Sequence, residues 1–179
     1  MILTGPEILR QRIAGRIQID PFDERQLNPN SYNFRLGSLI KTYCSEVLDV
    51  RIKQEVEEHH LSSDGMVLRP GRVYLGHTRE TMGSDHFVPI VKGRSSTARM
   101  GLFVHVTADL IDIGSHNQWT LQLVAAQPVL VVPGMLIGQV TFWTVSGDIT
   151  LYRGKYQGSK GPWESQIYKD FERGKDDPV

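Results

Sequence analysis

The chain is predicted to be mainly β, a barrel or sandwich of short strands with little helix. Two observations carry this. From Tyr32 onward, short apolar runs follow one another at fairly regular spacing. Turn-forming pairs fall between them: Pro70-Gly71, Gly83-Ser84, Gly114-Ser115, Pro133-Gly134 and Ser146-Gly147. A third observation, a set of helix-capping signals, stands at the N-terminus and places one short helix there.

That helix is predicted over 4–14. Thr4 can cap it, Pro6 suits its first turn, and Glu7 stands at capping-box spacing from Thr4. Ile8, Leu9 and Ile13 supply an apolar face and Gly15 ends the element. A short strand follows at 17–19, then a polar, proline-bearing loop over 20–30. Strands are expected at 32–36, 38–43, 66–68, 73–77, 87–91, 102–106, 119–124, 129–132, 138–144 and 150–152. The charged stretch 49–64, with Glu57-Glu58-His59-His60, reads as a surface excursion. The last segment, 154–179, has too many glycines and charges for a core strand and reads as a tail that packs over something.

Length and composition suit one domain spanning 1–179: 179 residues, 40% hydrophobic and 22% charged, are enough to build a core. Twenty basic residues balance twenty acidic ones, so the overall charge gives no reason to expect nucleic acid or a membrane surface as partner. A small anionic ligand needs only a local cluster and stays open. The single cysteine, Cys44, leaves no intramolecular disulfide or multi-cysteine metal site and reads as a partly buried structural thiol. With no apolar run of transmembrane length and no signal-peptide layout, a cytoplasmic protein is expected.

The segment 93–112, GRSSTARMGLFVHVTADLID, concentrates candidate chemistry. Arg94 and Arg99 offer guanidinium donors, Ser95, Ser96 and Thr97 offer hydroxyls, and Gly93 allows close backbone approach. This is the donor set a polyphosphate requires, although the Walker spacing is absent. The same residues would equally make a capped helical turn with solvated arginines. Asp112 ends the apolar run before Gly114; a carboxylate there can activate water or hold magnesium, or simply cap a turn. The HxE and PCxxC pattern of zinc deaminases is missing, and the six histidines show no ligand spacing, so no zinc is expected. His105, in an apolar run, reads as a hydrogen-bonded core or site-wall residue. Lys155, Tyr156, Gln157 and Lys160 stand among glycines in the tail, as in a lid that closes on a ligand or in a solvated terminus.

Taken in order, MILTGPEI at the start, NPNSYNFRLG at 28–37, GRSSTARMGLFVHVTA at 93–108, PGMLIGQ at 133–139 and GKYQG at 154–158 resemble the dCTP deaminase branch of the trimeric dUTPase-like superfamily. The likeness runs from Met1 to about Phe171 and is weakest over 45–65. It implies a distorted, dUTPase-like β-barrel, a homotrimer with active sites between subunits, and Mg2+ carried on the triphosphate with no direct protein ligand. By position it implies that Arg94, Ser95, Ser96 and Arg99 hold phosphates and position water. Ala108 would shape the base pocket, and Gln139, Lys155, Tyr156 and Gln157 would complete the phosphate grip, with 154–179 as lid.

Two positions depart from the family pattern, and a third from some of its members. Asn33 stands where the similar SxDxRLG strand has Asp, a change expected to alter a structural hydrogen bond. Gln122, in Trp119-Thr120-Leu121-Gln122-Leu123, stands where similar deaminases carry the Glu that shuttles a proton from water to the cytosine ring and leaving ammonia. An amide cannot act as a carboxylate base near neutral pH, although it can hydrogen-bond a pyrimidine edge. Leu110, where some relatives have Arg, thins the same polar network. Asp112 is retained, and in dUTPases and bifunctional relatives the matching Asp activates water toward the α-phosphorus, giving dUMP and pyrophosphate. The resemblance therefore implies a pyrimidine deoxynucleoside triphosphate hydrolase, with dCTP deamination as family activity. The alternatives are a nucleotide pyrophosphatase using Asp112 and a catalytically silent nucleotide-binding sensor.

Overall fold

A computed structural model describes residues 1–105 and 107–172. Val106, the end of one predicted strand, and 173–179 of the predicted tail lie outside the described residues. Helix α1, Gly5–Ile13, follows Thr4 and carries Pro6 in its first turn. The expected capping box does not form: the Thr4 side chain makes no cap bond. Glu7 accepts instead from Arg10 Nε at 2.8 Å and Gln11 Nε2 at 2.5 Å, neighbours one helical turn ahead. Ile8 is fully buried, but Ile13 is 73% exposed. Five residues of helix turn Ile13 about 140° away from Ile8, off the core face.

Strands β1 (Gln18–Asp20), β2 (Leu27–Asn28), β3 (Ser31–Arg35), β4 (Leu39–Tyr43), β5 (Val56–His60), β6 (Met66–Leu68), β7 (Tyr74–His77), β8 (Thr81–Gly83) and β9 (Val88–Gly93) follow. Helix α2 (Ser95–Arg99), strands β10 (Leu102–Phe103), β11 (Thr120–Ala125), β12 (Val129–Val131) and β13 (Leu136–Trp143), and helix α3 (Lys169–Glu172) complete the described chain. The mainly β architecture is the one expected. Its ladders form a four-stranded sheet β2-β3-β13-β9, a five-stranded sheet β10-β11-β7-β4-β5, and the pairs β1-β8 and β12-β6. They do not close into one ring, and the result is a distorted sandwich. Tyr32, Phe34, Val140 and Phe142 of the first sheet and Ile40, Leu121 and Leu123 of the second fill one core. Gly138 marks a register shift in β13, where a Cβ would fall 2.2 Å from the Phe34 ring.

Four further expectations are corrected. The stretch 49–64 is not all surface excursion, since β5 pairs with β4 from Leu39↔His60 to Tyr43↔Val56. Its charges suit an edge strand, which has a neighbour on one side alone. The short strand β8 lies within a region read as connection. Residues 150–152 form no strand; Tyr152 N–H donates to Ile113 O at 2.7 Å. Cys44 is exposed rather than partly buried, because it lies just past the end of β4.

Strand periodicity positions the site. In β11 Leu121, Leu123 and Ala125 are buried in the core, so Thr120, Gln122 and Val124 face the other way. The tail crosses that outer face. Gln118 N–H donates to Ser159 O at 3.0 Å, Gly161 N–H to Gln118 Oε1 at 2.7 Å and Trp163 N–H to Thr120 Oγ1 at 3.0 Å. Ser165 N–H reaches the Tyr43 hydroxyl at 2.9 Å.

Candidate functional site

A cavity of about 420 Å³ lies between the outer face of β11, the connection after β10 and the tail. Strand β11 contributes Thr120 and Gln122, the connection contributes His105, Ala108 and Asp112, and the tail contributes Tyr156, Trp163 and Glu164. Tyr43, Trp119 and Tyr152 add aromatic wall. A flat ring could stack here, and the volume suits a nucleoside-sized ligand.

The polar groups of this cavity are incompletely satisfied. Among the described residues, the buried side-chain atoms without a partner are His105 Nδ1, Trp119 Nε1 and Gln122 Oε1, and all three residues line the cavity. Gln122 has a single long bond, from Nε2 to Thr120 O at 3.5 Å. His105 Nε2 lies against Ala108 O, which makes Nε2 the protonated nitrogen and leaves Nδ1 an acceptor. Burial pushes the His105 pKa down, toward the neutral ring. Trp119 Nε1 can only donate. Unpaired buried polar groups are costly unless a ligand or water meets them, so this wall asks for a molecule with both donor and acceptor edges.

Two carboxylates border the cavity. Asp112 is exposed, and its side chain makes no hydrogen bond among the described residues. The turn there is closed by backbone, with Ser115 N–H donating to Asp112 O at 3.1 Å, so the carboxylate is not used in capping. Glu164 is ion-paired to Lys41 Nζ at 3.1 Å. Burial works to raise its pKa, but backbone hydrogen bonding and the Lys41 ammonium outweigh it and hold the carboxyl below its ordinary value.

Of the residues expected to bind or act, Ala108, Asp112, Gln122 and Tyr156 come together here. Arg94, Ser95, Ser96, Arg99, Gln139, Lys155 and Gln157 do not line the cavity. Arg94 begins α2 and donates to Asn33 Oδ1 at 3.1 Å and Leu136 O at 3.2 Å. Ser95, Ser96 and Arg99 are exposed on that helix. Gln139 accepts from Ser31 Oγ at 2.8 Å and donates to Gly93 O at 3.0 Å. Lys155 pairs with Asp170 at 2.6 Å, and Gln157 Nε2 donates to Gly114 O at 2.7 Å. Asn33 makes a structural bond, as expected: besides accepting from Arg94 it donates to Asn28 Oδ1 at 3.2 Å, which an Asp could not do.

Sequence reasoning missed Tyr43, Trp163 and Glu164 as wall residues. Tyr43 had a signal, since Leu39, Lys41 and Tyr43 alternate with buried Ile40 and Thr42. Trp163 and Glu164 had none, because a tail without periodicity does not announce what it crosses.

Residues 2–145 match a family model described as dCTP deaminase-like. The chain is 44% identical over 174 residues to a Clostridium beijerinckii protein named "dCTP deaminase, dUMP-forming", covering 97% of this chain and 100% of that one. It is 43% identical over 174 residues to a Leptospira biflexa protein of the same name, covering 97% and 99%. Among solved structures it is similar in fold to 2'-deoxycytidine 5'-triphosphate deaminase from Agrobacterium tumefaciens, with a TM-score of 0.63 at 23% identity. That likeness covers 79% of this chain and 47% of the other, so the chain spans about half the length of that structure.

Proposed function

The chain belongs to the dCTP deaminase-like family, and from that premise we propose that it hydrolyses a pyrimidine deoxynucleoside triphosphate whose base sits in the cavity beside Gln122. The observation that carries this reading is the set of unpaired buried atoms, His105 Nδ1, Trp119 Nε1 and Gln122 Oε1, on the walls of one cavity. A pyrimidine edge offers the matching mixture of N–H donors and carbonyl or ring-nitrogen acceptors.

The relatives' name, dUMP-forming, supports two hydrolytic steps, loss of ammonia and loss of pyrophosphate. Asp112 suits the second. Its unused carboxylate takes a proton from water, the water oxygen bonds to the α-phosphorus, and the bond from that phosphorus to the bridging oxygen breaks, releasing pyrophosphate and the monophosphate. Gln122 bears on the first. Its amide can orient the base but cannot accept the proton from a water attacking C4, so ammonia release is the slow or absent step in this chain.

Arg94, Ser95, Ser96, Arg99 and Gln139 form the phosphate end in this reading, with Lys155 and Gln157 joining from the tail. Since they do not line the cavity of their own chain, the reading takes the α2 group from a neighbouring subunit, as a homotrimer with shared sites would supply it. A magnesium ion would be held by the triphosphate oxygens, while Arg94, Arg99 and the serines would bind other oxygens of the same phosphates. When bound, that ion neutralises phosphate charge.

The test is incubation with dCTP and with dUTP plus Mg2+, following ammonia and pyrophosphate separately. Pyrophosphate release is expected, and Asp112→Asn should lower it by about 10²- to 10⁴-fold. Release that persists in this variant removes Asp112 from the mechanism. Rapid ammonia release from the wild-type chain would show that residue 122 need not be a carboxylate. Tight binding with neither product would identify the silent sensor.

A further inference from the structure

The cavity holds a second carboxylate with no part in the chemistry above. Glu164 reaches it from the tail, one residue after Trp163, whose N–H donates to Thr120 Oγ1. Thr120 and Gln122 share one face of β11, and Glu164 and Gln122 line the same cavity. Beneath it the sheet presents a lateral row. Lys41 pairs with Leu75 across β4 and β7, and Leu75 pairs with Gln122 across β7 and β11. Lys41 is 14% exposed and its ammonium lies between Glu164 at 3.1 Å and Glu58 at 3.2 Å. Glu164 Oε2 receives Lys41, whereas Oε1 makes a looser ion pair with Lys53 Nζ at 3.8 Å, beyond hydrogen-bond distance. Glu164, a lining residue of the cavity, thus has acceptor capacity beyond its bond to Lys41, and Gln122 Oε1 and His105 Nδ1 on the same walls are acceptors without protein partners.

We propose that Glu164 is a specificity-determining residue, whose carboxylate receives an N–H group of the bound base, and that Lys41 is the positioning residue that holds Glu164 and the tail over the cavity. This rests on the reading that a pyrimidine occupies the cavity. A carboxylate only accepts, so it favours an amino group on the base edge over a carbonyl oxygen at the same place. Closure of the tail and recognition of the base are then one event, because the group that reads the base arrives on the tail.

The experiment measures equilibrium binding of the α,β-imido analogues of dCTP and dUTP with magnesium, by tryptophan fluorescence, in the wild-type protein and in Glu164→Gln, Glu164→Asp and Lys41→Met. Far-UV circular dichroism checks that each variant is folded. The wild-type chain should prefer the cytosine analogue. Glu164→Gln, which can turn a donor toward the base, should weaken that analogue about tenfold or more while sparing or tightening the uracil analogue. Glu164→Asp should keep the preference for cytosine, and Lys41→Met should weaken both analogues in proportion. A wild-type preference for uracil, or a preference ratio unchanged by Glu164→Gln, overturns the role of Glu164 while leaving the base-binding site in place. Failure of the wild-type chain to bind either analogue overturns the site reading, and this proposal with it.

Discussion

Gln122 is placed by two independent constraints. The alternation of β11 turns it away from the core, and the tail encloses the space into which it points. Its amide oxygen has no protein partner there, so it is available to a polar ligand or to water in the cavity. Replacing the amide by a carboxylate restores a proton acceptor at a site whose shape is unchanged. Gln122→Glu should therefore raise ammonia release from dCTP by about 10²- to 10⁴-fold, measured under the same conditions as the wild type. A variant that binds dCTP yet gains nothing would show that a further group is missing from the deaminating network, with Leu110 the first candidate. At this scale the positions of Gln122 within a strand and Asp112 before a turn were legible, since strand period and turn residues are local properties. Glu164 was not legible, because its partner Lys41 lies more than a hundred positions away in the chain, and the Thr120 that anchors neighbouring Trp163 lies more than forty away.

At the scale of elements, Glu80 joins the loop between β7 and β8 to β3. It is 1% exposed and accepts from Arg35 N–H at 2.9 Å and Gln26 Nε2 at 3.3 Å. Burial pushes its pKa above the ordinary 4.5, outweighing those hydrogen bonds. The folded protein then binds this proton more tightly than the unfolded chain does. The resulting stability is fully present below the unfolded value and is lost as pH rises through the folded one. In denaturant titrations, wild type and Glu80→Gln should be equally stable at low pH, and the variant should gain relative to wild type as pH rises past about 4.5 toward neutrality. A difference that shrinks over that range would contradict the assignment. The strand and turn pattern showed most elements, with errors where a strand is polar. β5 looked like loop because Glu57, Glu58 and His60 face water at a sheet edge.

At the scale of the whole molecule, the residues proposed for catalysis fall into two groups within one chain. The base group lines the cavity, and the α2 group, around Arg94 and Ser95, sits beyond it. If sites are shared between subunits, the assembly should have a mass near three times 20.2 kDa in solution. Mixing Ser95→Ala subunits with Asp112→Asn subunits under exchange conditions should then restore pyrophosphate release. About a quarter of the sites in randomly mixed trimers would pair an intact cavity with an intact α2. No recovery despite demonstrated exchange would place the complete site in one chain.

Legible in the sequence were the mainly β class, the N-terminal helix, the family likeness and the two residues, Gln122 and Asp112, on which the proposed reaction turns. The class and the helix follow from local chemistry, side-chain alternation and turn and capping residues, whereas the family likeness rests on the order of the quoted motifs. The tertiary structure alone decided that the tail forms a wall of the cavity, that Lys41 and Glu164 meet there, and that the arginine-serine helix does not. Those facts depend on long-range packing and hydrogen bonds between segments far apart in the chain, such as Trp163 on Thr120 and Ser165 on Tyr43, and no local pattern encodes them.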